Sequence, residues 1–112
     1  MDESEDIVAI IGDKTNRKII TLLTTSELSS KQISERLDLA PSTTYRKLSA
    51  LEQMQIIKKT KVIRTLEGLD ESYYKSWVSE INVKFKDGEI SYKLERVKME
   101  DKIVRLWQKF KE

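Results

Sequence analysis

The 112-residue chain predicts a single α+β domain, mainly α. Three observations carry that expectation. Apolar residues recur at helical spacing, broken by cap-forming residues, as far as Met54. An Asp87-Gly88 pair then sits between two alternating runs. Finally Met99, Ile103, Leu106, Trp107 and Phe110 fall on one face of a closing amphipathic helix.

The elements follow in order. Ile7, Val8, Ile10 and Ile11 make a short helix over residues 1–12 that ends at Gly12. Asp13 is a natural cap for a second helix, whose buried side is Ile19, Ile20, Leu22 and Leu23 and which stops near Thr24–Ser26. Ser29 and Gln32 have the spacing of a capping box, hydroxyl at the cap and amide three residues on. The helix they open buries Ile33 and Leu37, one turn apart. Asp38-Leu39-Ala40 is a tight connection. Pro41 then begins a helix rather than ending one, because the first helical N–H has no partner to lose. That helix runs over residues 41–54.

Ile56 to Arg64 is rich in β-branched residues and lysine and reads as a strand, and Tyr73 to Val78 as its return. Residues 80–95 predict a hairpin. A two-residue turn at Asp87-Gly88 pairs Lys86 with Glu89, Phe85 with Ile90, Val83 with Tyr92 and Ile81 with Leu94. Each apolar residue then meets an apolar one on the same face. Residues 97–111 form the terminal helix, and residues 13–79 the core of the domain.

Composition narrows the function. There is no cysteine and no histidine, which removes disulfides, thiolate or imidazole metal sites and the commonest nucleophiles and general bases. No glycine-rich phosphate loop is present, so an enzyme is not expected. No cofactor, metal or membrane partner is expected, and the acidic start is unlike a secretory signal, which makes the cytoplasm the default. The net charge is only +2. Its distribution says more: from Arg46 to Arg64 the bases Arg46, Lys47, Lys58, Lys59, Lys61 and Arg64 face Glu52 alone, whereas Glu67 to Glu89 is net acidic.

Helix, tight turn, helix and basic hairpin is the order of a winged helix-turn-helix. In "NRKIITLL", "LSSKQISERLDLAPSTTYRKLSALEQMQII" and "INVKFKDGEISYKLE" the chain resembles single-domain ArsR-like transcriptional regulators, especially the archaeal ones, over roughly residues 13–95. The resemblance implies that the helix from Pro41 enters the major groove of double-stranded DNA while a basic wing follows the backbone. The terminal hairpin and helix are then additions to that core.

A helical wheel agrees. Thr44, Leu48, Leu51 and Gln55 share one side, toward the core, and Ser42, Arg46, Ser49 and Gln53 the other, flanked by Thr43, Ala50 and Tyr45. Short hydroxyls permit close approach, and arginine pairs bidentately with guanine. The expected DNA contacts are therefore Ser42, Thr43, Tyr45, Arg46, Ser49 and Gln53 on the helix, with Lys58, Lys59, Lys61 and Arg64 as phosphate contacts on the wing.

Two positions depart from the family pattern. Such regulators place glycine before the apolar pair that follows the recognition helix, where this chain has Gln55. They place a hydroxyl cap where it has Ala40. The metal-sensing members use Cys and His, which this chain lacks.

The family dimerises through its terminal helices. The corresponding residues here are Ile7, Ile10 and Ile11 with Met99, Ile103, Leu106, Trp107 and Phe110, so a homodimer on a pseudo-palindrome is expected. Two other functions compete: a winged helix that serves as a protein-interaction module, and a non-specific chromatin-coating protein. The modest net charge argues against the second of these.

Overall fold

Caps and turns divide the chain much as its sequence suggests. The computed structural model describes residues 3–97. Helix α1 spans Glu3–Gly12 and α2 Lys14–Thr25; β1 is Leu28–Ser29, α3 Ser30–Leu37 and α4 Pro41–Gln53. Strands β2 (Ile57–Arg64), β3 (Asp70–Ser76), β4 (Val78–Lys86) and β5 (Glu89–Arg96) follow. The result is a mixed α+β fold with an antiparallel sheet in the order β1-β3-β2 and a separate β4–β5 hairpin. The expected terminal helix, with Met99, Ile103, Leu106, Trp107 and Phe110, lies outside the described residues.

The local chemistry that starts each helix is visible. Asp13 Oδ1 accepts from the N–H groups of Thr15 at 2.7 Å and Asn16 at 3.3 Å. Ser29 Oγ accepts from the Gln32 N–H at 3.2 Å while Gln32 Oε1 accepts from the Ser29 N–H at 3.0 Å, closing the capping box. Pro41 occupies the first helical position of α4, and Ala40 supplies no side-chain cap.

Both helices of the helix-turn-helix end on a left-handed residue that is not glycine: Asp38 with φ 54° and Gln55 with φ 60°. At Gln55 the N–H donates to the Glu52 carbonyl at 2.9 Å and the next N–H, of Ile56, to Leu51 at 3.0 Å. That is a Schellman turn with glutamine at the usual glycine position, at a cost of about 1 kcal/mol. Gln55 is consequently exposed, not turned to the core as the wheel suggests, because α4 stops at Gln53 and the wheel's geometry stops with it.

The core gathers Ile19, Leu23, Ile33, Leu48, Leu51, Ile56 and Ile57, all at most 1% exposed. Ile7 and Ile10 belong to this core too. Of the N-terminal residues expected at a dimer interface, only Ile11 keeps partial exposure.

The strands show three differences from expectation. A two-residue β1, too short to show any periodicity, pairs Leu28 with Tyr74. Strand β3 begins at Asp70, earlier than Tyr73, since Arg64 and Asp70 continue the ladder across the turn. It also ends at Ser76, and Val78 opens β4 instead of closing β3. The hairpin register is as predicted: Lys86 opposes Glu89, Phe85 Ile90, Val83 Tyr92 and Ile81 Leu94. Asp87 and Gly88 both take positive φ, 53° and 77°, the two-residue turn that matches strand twist.

Candidate nucleic-acid interface

Helix α4 is held from behind by two polar links, which leaves its outer stripe open. Thr44 is buried, and its hydroxyl accepts from Ser34 Oγ at 2.8 Å, joining α4 to α3 inside the motif. Half-buried Lys47 reaches Asp13 Oδ2 at 2.6 Å, joining α4 to the cap of α2. That ammonium, more than the two backbone bonds at the cap, holds the Asp13 carboxyl below its usual range.

Leu48 and Leu51 pack beneath. The opposite stripe carries exposed Ser42, Tyr45, Arg46 and Gln53, with half-buried Thr43 and Ser49 between them. Among the described residues no carboxylate forms an ion pair with Arg46. Its guanidinium is available to an outside acceptor.

The hairpin that stands where a wing is expected is β2, β3 and the turn between them, in which Gly68 takes φ 81°. A bulge at Thr60 decides where its bases point. Lys59 opposes Tyr74 before the bulge and Lys61 opposes Tyr73 after it. Residues directly opposite in a ladder share a face, so Lys59, Val62 and Arg64 lie with Tyr74, Ser72 and Asp70. Tyr74 faces α4: burial raises its phenol above the usual value, and the nearby Glu52 charge and Tyr45 act in the same direction.

Lys58 and Lys61 lie on the other face. Lys58 Nζ stands 5.0 Å from the Trp77 ring centroid. Lys61 Nζ stands 4.8 Å from the Tyr73 ring and 2.9 Å from Glu27, whose carboxyl is lowered chiefly by that contact. Simple alternation would have kept Lys59 and Lys61 together; one inserted residue separates them. The structure thus brings Lys59 and Arg64 to the side of the recognition helix and leaves Lys58 and Lys61 away from it. Arg64 is itself 3.5 Å from Asp70.

A cleft of about 810 Å³ separates α3 and the start of α4 from the wing. Tyr45 and Pro41 line one side; Glu67, Asp70 and Glu71 line the other, and Glu35 and Asp38 also border it. Lys31 is the one base on this lining among the described residues. The acidity of the stretch after Glu67 is legible in the sequence, but its closeness to the recognition helix is not. The tip beyond it is apolar, with Leu66 fully exposed and Leu69 largely so. Among the described residues no acidic cluster is arranged to hold a metal ion, and no helix is long and apolar enough to cross a membrane.

Comparisons with known proteins agree with this geometry. Residues 13–59 match the family model described as bacterial regulatory protein, arsR family. The match runs from the cap of α2 into β2 and includes all of α4. Among solved structures the fold is similar to that of HlyU from Vibrio cholerae N16961, with a TM-score of 0.53 and 19% identity over 65% of this chain and 73% of that one. No curated protein matches the chain. Capped α2, the α3–turn–α4 unit and the start of β2 coincide with the matched segment, so that residues 13–59 are similar to the helix-turn-helix of the arsR family of regulatory proteins, on a fold similar to that of HlyU.

Proposed function

We propose that the chain is a homodimeric, sequence-specific transcriptional regulator that sets α4 in the major groove of double-stranded DNA. The observation that carries this is the outer stripe of α4. It joins an unpaired arginine, Arg46, to short hydroxyls at Ser42, Thr43 and Ser49, on a helix fixed from behind by Ser34 and Asp13. Arg46 reads a base edge. Ser42 and Thr43, at the uncapped start of α4, meet a phosphate, for which the open N–H groups and the helix dipole are suited.

Lys59 supplies the wing's main phosphate contact, and Arg64, shared with Asp70 at the turn end of the ladder, a weaker one. Lys58 and Lys61, engaged with Trp77 and Glu27, contribute less. The acidic cleft turns the phosphate path toward α4 and the stem of the wing rather than between them. Dimerisation draws on the apolar pattern Met99, Ile103, Leu106, Trp107 and Phe110, with Ile11 as the N-terminal contribution.

Selection by the full chain from a random pool of duplexes of about 30 base pairs, three helical turns, tests this. The expected product is one enriched motif with two related half-sites. No enrichment over the starting pool would overturn sequence-specific reading.

A further inference from the structure

Where α4 leaves for the wing, four segments meet. Gln55, exposed and in the left-handed region that favours glycine, accepts through Oε1 from Arg96 Nη2 at 3.2 Å. Arg96 is the last residue of β5. Its guanidinium carbon lies 4.9 Å from the centroid of Trp77, the residue between β3 and β4, and Lys58 of β2 lies over the same ring at 5.0 Å.

The backbone closes the joint. The Trp77 N–H donates to the Ile56 carbonyl at 2.8 Å, and the Val97 N–H donates to the Trp77 carbonyl at 2.9 Å. The C-terminal hairpin is therefore tied to Gln55 and Ile56, two of the three residues that connect α4 to β2. Elsewhere it rests on the rest of the domain through Ile81, Leu94 and a 2.6 Å bond from the Tyr92 hydroxyl to Glu3.

A glycine at position 55 would take the turn without strain, but it would leave Arg96 no side chain to hold. Exposed polar contacts and stacked cations add little to folding. What they determine is orientation. Resting on the DNA-binding role proposed above, we propose that Gln55 and Arg96 are positioning residues, through which the β4–β5 hairpin sets the angle between α4 and the wing. Anything that moves the hairpin would then act on DNA affinity at this joint, without touching DNA.

The test uses duplexes selected by the wild-type chain, with affinity measured across a salt series and thermal melting measured beside it. Gln55→Gly should melt no lower than wild type, since it relieves a left-handed glutamine. It should nevertheless bind the selected duplex about five-fold more weakly. Gln55→Asn, which tolerates the turn but is too short to reach Arg96, should do the same. Arg96→Ala should match them, and the double variant Gln55→Gly/Arg96→Ala should be no weaker than either single.

The salt slope should be unchanged throughout, because no phosphate contact is lost. Wild-type affinity in both Gln55 variants would overturn the joint, as would losses that multiply in the double variant. A salt slope reduced by about one in Arg96→Ala would also overturn it, by making Arg96 a direct phosphate contact. A wild-type chain with no salt-dependent affinity for any duplex would sink the DNA-binding role itself, and the joint with it.

Discussion

The two helices of the helix-turn-helix start in opposite ways. Helix α3 opens on a complete capping box, with Ser29 and Gln32 satisfying each other's backbone donors. Helix α4 opens on Ala40 and Pro41 with no side-chain cap. Its first turn is held from inside instead, where the Thr44 N–H donates to the Ala40 carbonyl at 3.0 Å and the Thr44 hydroxyl meets Ser34. One helix is fixed by its neighbours in sequence, the other by its neighbour in space. The difference suits their positions. A helix that uses its N-terminus on a ligand keeps those donors open, and its stability has to come from its buried face.

That contrast can be broken by substitution. The largest effect is expected at Thr44→Val, which keeps the shape but leaves the buried Ser34 hydroxyl without its partner. The loss should be about 1–3 kcal/mol in urea unfolding, and Ser34→Ala in the same chain should recover most of it. Ser29→Ala should cost less, about 1 kcal/mol: Ser29 is itself buried, but its partner in the box, Gln32, is half-buried and can turn to water for part of what is lost. If Ser29→Ala proves the more damaging of the two, α4 is not held by its tertiary link as described.

The smallest effect is a pH dependence. Folding lowers the Asp13 carboxyl below its ordinary value of 3.8. Its contribution is therefore complete above that value and fades as pH falls through the lowered one. Asp13→Asn, which still caps α2, should melt below wild type at neutral pH and converge with it in acid. A gap between the two that persists unchanged in acid would mean that the Lys47 charge pair is not its source.

What was legible in the sequence was local. The Asp13 cap, the capping box, the Pro41 start and the β4–β5 register from Ile81 to Leu94 each depend on residues a few positions apart, or on one turn between matched runs. What was not legible joins distant segments or turns on one residue. Lys47 and Asp13 are 34 positions apart, and Arg96 and Gln55 41. The bulge at Thr60 leaves no mark on the pattern of Ile57–Arg64, yet it reassigns Lys61 to the far face. Ile7 and Ile10, expected at a dimer interface, are buried in the domain's own core; an apolar stripe does not say what covers it. The stripe on α4 was readable because Leu48 and Leu51 fix the helix's orientation and so fix Arg46 opposite them.

Arg46 is thus the most direct point of test. Fluorescence anisotropy should compare wild type with Arg46→Ala on the selected duplex and on a scrambled one. Arg46→Ala should lose about 1–3 kcal/mol on the selected duplex and change little on the scrambled one, so that specificity relaxes. Equal affinity of the two proteins for both duplexes would contradict it, and an equal loss on both would make Arg46 a phosphate contact rather than a reader of bases.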